Sequence, residues 1–113
     1  VNALGRRAPL LSEHETLKCG DLEMNVTFRS VMRGGERIEL LPLEFKLLEV
    51  LLRNKMRVVP RTILLERVWG FNFDPKTSVV ETQISRLRTK IDKPFKSQLI
   101  HTVRGCGYSM HES

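Results

Sequence analysis

The stretch VETQISRLRTKID, from Val80 to Asp92, constrains the fold more than any other part of this chain. Val80, Ile84, Leu87 and Ile91 recur at helical spacing, so a narrow apolar stripe must face a core. At about 100° per residue, Thr82, Arg86, Thr89 and Lys93 fall opposite that stripe. The outward face is therefore basic and hydroxyl-bearing, with Glu81 on its flank. Two readings are open for such a helix. It is either a solvated amphipathic helix or one whose basic face enters a DNA major groove, which is wide enough to admit it.

Charge placement bears on that choice. The chain has 113 residues and a formal net charge of +6, which suits one domain with a single core and favours an anionic partner. Residues 61–113 hold 9 Lys+Arg against 5 Asp+Glu, whereas residues 1–60 hold 10 against 8. Between Lys76 and Arg104 there are 7 basic and 2 acidic residues, so the basic surface is concentrated around the helix. No apolar run approaches the roughly 18 residues of a membrane span. Cys19 and Cys106 are far apart and form no CxxC pair, which reads as two free thiols in a cytoplasmic protein. His14, His101 and His111 lack ligand spacing, so neither a metal nor another cofactor is expected.

The order of elements sets the fold class. Residues 1–15 read as a linker or the end of a preceding domain, and residues 16–113 as the folded domain. Short strands are expected at Thr16–Cys19, Leu22–Val26, Arg29–Arg33 and Glu36–Leu40, the last two joined by a Gly34-Gly35 hairpin turn. Leu41–Leu52 has so broad an apolar face, with only Lys46, Glu49 and Arg53 as a polar strip, that it describes a central buried helix. Pro42 suits its first turn. Val58-Val59 can add a short strand. A second helix runs from Pro60 through Trp69, with Ile63, Leu64 and Val68 inward, and stops at Gly70. After the connection FNFDPKT, the third helix spans Thr77 to Asp92 and ends before Pro94. Gln98–Val103 and Tyr108–His111 then flank the turn Arg104-Gly105-Cys106-Gly107 as a hairpin. The class is α+β. Helix, connection, helix and basic hairpin make a winged helix-turn-helix.

These residues also carry a family resemblance. LPLEFKLL, LLERVWG (Leu64–Gly70), SRLRTKID (Ser85–Asp92) and LIHTVRGCGY (Leu99–Tyr108), in this order and spacing, resemble the OmpR/PhoB-type effector domain of bacterial two-component response regulators. The resemblance covers about residues 16 to 112. It implies an N-terminal four-stranded antiparallel sheet, a three-helix core and a C-terminal β-hairpin wing. It further implies transcriptional control through double-stranded promoter DNA, bound by head-to-tail pairs on direct repeats, with the isolated domain monomeric. RNA polymerase would touch the connection at Phe71, Asn72, Phe73 and Asp74. A sensor kinase would act through a receiver domain, whose end VNALGRRAPLLSEHE resembles. FDPKTSVVETQISRLRTKID is also similar to the copper and heavy-metal resistance branch. The chain departs from the family at Leu41, where a capping threonine is usual, and at Pro60, where serine or threonine is common. Loss of such a hydroxyl typically costs about 0.5–2 kcal/mol. Glu81, Gln83 and Cys106 also differ from the usual residues.

On this reading, affinity comes from phosphate neutralisation by Arg88, Lys90, Arg104 and Lys76, with Thr102 and Tyr108 donating hydroxyls. Trp69 either places its indole N–H on a phosphate or is a plain core tryptophan. Arg86 is the best candidate for a guanine contact. Thr82 and Val79 offer methyls to thymine, and Gln83 can read adenine or hold a phosphate. Ser85 belongs to the same recognition-helix string. Arg104 can enter a minor groove or form a surface salt bridge. Glu81 and Arg88 share a flank two turns apart, and Glu81 is expected to orient a basic neighbour rather than contact DNA. The rival class is a winged helix that docks a protein, supported by Phe71 and Phe73 near a turn. An enzyme is not expected, because no nucleophile–base pair or carboxylate pair stands out, and Ser85 and His101 lie on different elements.

Overall fold

A computed structural model describes residues 15–112. The expected linker, apart from Glu15, therefore lies outside the described residues. Strands β1 (Thr16–Cys19), β2 (Leu22–Asn25), β3 (Ser30–Arg33) and β4 (Glu36–Ile38) form an antiparallel sheet in sequential order. Alternation places Leu22, Met24, Val31 and Arg33 inward. Arg33 opposes Glu36 across the turn, and Gly34 and Gly35 both take the positive φ that a two-residue hairpin needs. The third strand begins at Ser30 rather than Arg29 because Arg29 itself has φ 55°.

Helix α1 (Pro42–Arg53) is central, packing on the second and third helices, β1 and the last strand. Phe45, Leu47, Leu48, Leu51 and Leu52 are buried, and so is Glu44. Leu41 has no side-chain acceptor, so half of a capping box is missing, as the sequence suggests. The other half is present: the Leu41 N–H donates to Glu44 Oε1 at 2.8 Å. A short strand β5 (Val58–Pro60) precedes α2 (Arg61–Leu64), which continues as a π-helical segment, Leu65–Trp69. Gly70 ends it at φ 75°, its N–H bonded to the Glu66 carbonyl.

Helix α3 covers Val79–Ile91, two residues shorter at its start than its sequence suggests. Ser78 has ψ 35°, and the Thr77 carbonyl accepts a hydrogen bond from Arg61 Nη2, so neither residue joins the helix. Val80, Ile84, Leu87 and Ile91 are buried as their spacing requires. Strands β6 (Ile100–Val103) and β7 (Gly107–Met110) form the hairpin. The first of these starts later than expected because the Asp92 carboxylate takes the N–H groups of Leu99 and Ile100. The hairpin does not stand alone. Strand β5 pairs with β7, giving a three-stranded sheet in the order β5-β7-β6. Gly107 permits this, since a Cβ there would lie 2.1 Å from the Val59 carbonyl oxygen. Among the described residues, no helix is long and apolar enough to cross a membrane.

One side chain welds the layers together. Arg33 is fully buried, and its five N–H groups meet five acceptors: Asp21, the Ile91 carbonyl, Asp92, and the carbonyl and hydroxyl of Ser97. The guanidinium also lies 4.8 Å from the centre of the Phe95 ring. It thereby fixes the N-terminal sheet to the end of α3.

Candidate nucleic-acid interface

The apolar stripe that buries Val80, Ile84 and Leu87 turns Thr82, Ser85, Arg86 and Thr89 to solvent. Arg86 is exposed and makes no hydrogen bond or ion pair among the described residues. Its five N–H groups remain available for a bidentate contact. Thr89 is turned inward chemically, its hydroxyl donating to the Ser85 carbonyl at 2.9 Å. At the start of the helix, Trp69, Thr77, Ser78, Val79, Thr82 and Gln83 line a shallow hollow of about 230 Å³. Trp69 is half-buried against the core, yet its indole N–H has no partner among the described residues. Both roles weighed for it from sequence fit that placement.

The basic residues divide into two groups. Lys76, Lys93, Lys96 and Arg104 are exposed, with no side-chain ion pair among the described residues. Arg104 stands at the wing turn, beside Gly105 and the exposed Cys106. Lys90 and Arg88, both half-buried, are committed to partners within the protein. Lys90 Nζ lies 2.6 Å from Glu44 Oε1, joining α3 to the N-terminus of α1. Arg88 Nη2 donates to Thr102 Oγ1 at 2.7 Å and to the Ile100 carbonyl at 3.2 Å. Its guanidinium is 6.0 Å from the centre of the Tyr108 ring, and its Nε is buried without a partner. Arg88 thus braces the wing against α3. Tyr108 is largely buried; burial pushes its hydroxyl above the ordinary value, and the Glu81 charge acts the same way. Burial likewise raises the Cys19 thiol.

Glu81 pairs with a basic residue, but with Arg61 on α2 and not with Arg88 on its own flank, which is turned to Thr102 and the Ile100 carbonyl. Arg61 Nε lies 2.7 Å from Glu81 Oε2, and its Nη1 lies 2.8 Å from Asp74 Oδ1. Asp74 also accepts the Lys76 N–H at 2.8 Å. The hydrogen bond from Arg61, with the Lys76 N–H, holds the Asp74 carboxyl below its ordinary value. At Glu81, burial opposes ionisation, but the Arg61 hydrogen bond and charge outweigh it and the carboxyl is also lowered. Sequence reading passed over Arg61, Arg33 and Glu44. In the connection, Phe71 and Phe73 stack with centroids 5.2 Å apart, and Phe73 is 61% exposed. With Asn72, Asp74, Ile63 and Glu66 they help line a hollow of about 330 Å³. The structure therefore brings Val79, Thr82, Gln83, Ser85 and Arg86 to one helix face, with Arg104 on the wing. Phe71, Asn72, Phe73 and Asp74 lie on a separate surface. No group of three or more His, Cys, Asp or Glu side chains converges as a metal site would among the described residues.

Comparison with known proteins agrees with this geometry. A family described as "Transcriptional regulatory protein, C terminal" matches residues 35–110. The transcriptional regulatory protein CusR of Escherichia coli K12 is 40% identical over 110 residues, covering 97% of this chain and 48% of that protein. PcoR of Escherichia coli is 44% identical over 88 residues, covering 78% of this chain and 39% of that protein. The chain thus spans about half or less of the length of these relatives. The crystal structure of the Klebsiella pneumoniae RstA DNA-binding domain in complex with the RstA box superimposes with a TM-score of 0.78 at 33% identity. That match covers 87% of this chain and 98% of the RstA chain.

Proposed function

The chain belongs to the family of OmpR/PhoB-type C-terminal transcriptional regulatory domains, and from that membership we propose that it reads double-stranded promoter DNA. The observation that carries this reading is the pair of faces on α3. One is anchored in the core through Val80, Ile84, Leu87 and Ile91, and the other presents Arg86 without a competing partner. Arg86 would take a guanine edge in the major groove, while Val79, Thr82, Gln83 and Ser85 line the same approach. Arg104 would follow the adjacent minor groove, with Lys76 and the Trp69 indole on phosphates.

In the full protein this domain is the effector half of a two-component response regulator in the bacterial cytoplasm. It would pair head to tail on direct repeats once a receiver domain is phosphorylated by a sensor kinase. Similarity to CusR and PcoR supports the heavy-metal resistance branch that the connection and recognition helix also resemble. The stacked, exposed Phe71–Phe73 pair supports a second contact, with RNA polymerase, on a surface that leaves the α3 face free.

Fluorescence anisotropy on a tandem-repeat promoter duplex and its scrambled counterpart, across a salt series, tests the reading. Selective binding that weakens with salt is expected, and Arg86→Ala should remove about 1–3 kcal/mol of the discrimination. Absence of binding to any duplex at low salt would remove the DNA reading and leave protein docking as the function of the wing and connection.

A further inference from the structure

We infer that Arg61 is a positioning residue: its guanidinium ties residues 74–77 of the connection to the first turn of α3, and so sets the stance of the recognition helix relative to the Phe71–Phe73 surface. This rests on the DNA reading above for the meaning of that helix, and on geometry alone for the clamp.

Arg61 is the first residue of α2, directly after Pro60 of β5, so its backbone is held by a sheet on one side and a helix on the other. Its three nitrogens reach three separate places: Nη1 to Asp74, Nη2 to the Thr77 carbonyl, and Nε to Glu81 one turn into α3. Between Asn72 and Thr77, the hydrogen bonds among the described residues are those to Arg61 and the Lys76 N–H to Asp74 bond. The connection has no regular secondary structure there, and Lys76 adopts φ 61°, which a non-glycine residue holds only when its surroundings impose it. One planar fork thus supplies most of what orders the segment. A lysine ammonium would keep the charge but lose the three-way geometry.

The clamp also has an electrostatic consequence. Glu81 is a carboxylate at the edge of the proposed DNA face, and unpaired it would repel phosphate. Arg61 lies in the cleft between α3 and the wing, which Glu81, Thr102, Arg104 and Tyr108 also line. It answers Glu81 where the backbone of a bound duplex would pass, and reaches Asp74 on the side of the connection.

The test compares the unsubstituted domain with Arg61→Gln, Arg61→Lys and Asp74→Asn. Asp74→Asn weakens one arm of the clamp without altering Arg61. Amide hydrogen exchange at residues 72–78 is read beside exchange in α1, and binding is read as the ratio of specific to scrambled duplex. Expected in Arg61→Gln are roughly three- to tenfold faster exchange confined to the connection and the start of α3, with a several-fold lower selectivity ratio. Arg61→Lys should recover little of either, and Asp74→Asn should fall between it and the unsubstituted domain. Unchanged exchange in Arg61→Gln would overturn the clamp. Faster exchange with an unaltered selectivity ratio would overturn its effect on the recognition helix. If the unsubstituted domain shows no selectivity at all, the DNA reading fails by itself, and the exchange comparison alone decides the clamp.

Discussion

Helix α3 meets two arginines that use the same guanidinium in opposite ways. Arg33 grips the end of the helix from below, fully enclosed, with every N–H taken by an acceptor of the protein itself. Arg86 stands on the outer face, exposed, with no acceptor among the described residues. A buried charge persists when its partners are complete, and removing it strands the groups around it. An exposed arginine without partners adds little to stability, and its donors stay free for another molecule. The difference teaches that a basic window must be sorted by commitment before it is read as a binding surface. Of the 7 basic residues from Lys76 to Arg104, Lys90 and Arg88 already serve the fold.

The most direct way to break the comparison is to truncate both arginines. Arg33→Met should cost about 3–5 kcal/mol, because Asp92 would keep its buried carboxylate without its cation. Arg86→Ala should change stability by no more than about 0.5 kcal/mol. Urea denaturation of the two variants checks this; similar midpoints would show that Arg33 holds far less than its geometry indicates. Gly107→Ala comes next and disturbs the wing sheet while sparing the Arg33 side. Its Cβ would meet the Val59 backbone, which has no rotamer with which to escape. Strand β5 must then leave β7, at a cost of about 1–3 kcal/mol by analogy with overpacked cores. Chemical-shift changes should spread through residues 58–60 and the wing, while Arg33 and its acceptors keep their shifts.

Much of this architecture is legible in the sequence, because periodicity encodes burial directly. The stripe of α3, the breadth of α1, the Gly34-Gly35 turn and the four strands need only local rules. Three polar residues escaped, and two of them left a signal. Arg33 shares the parity of Val31 on β3, so the same alternation that buries the valine points the arginine inward. Glu44 lies on the line of Leu47, Leu48 and Leu51, and falls at the third helical position after Leu41, where a capping carboxylate belongs. A polar residue on an apolar register marks a buried network. Arg61 left no comparable signal. Its acceptors, Asp74, Thr77 and Glu81, lie on other elements, and only the tertiary arrangement of the connection brings them together. The pairing of β5 with the wing was hidden for the same reason: strand partners distant in sequence are not encoded locally.

The finest division between committed and uncommitted charge concerns Lys90 and Arg104, and its expected effect is the smallest. Each phosphate neutralised steepens the salt dependence of DNA binding by about 0.9 in log–log slope. Arg104→Ala should flatten the slope by about that amount, since its guanidinium is uncommitted at the wing. Lys90 sits on Glu44, which is almost fully buried and also takes the Leu41 N–H. Removing Lys90 alone would leave that carboxylate uncompensated, so the informative variant is Lys90→Met with Glu44→Gln, which keeps the local charge balanced. An internal ion pair releases no counterions on binding, so this double variant should leave the slope unchanged even if the domain loses some stability. The slope, rather than the affinity, separates the two. Should the double variant flatten it as much as Arg104→Ala does, the Lys90–Glu44 pair must open on DNA, and the committed side of α3 would then contribute charge to the surface it supports.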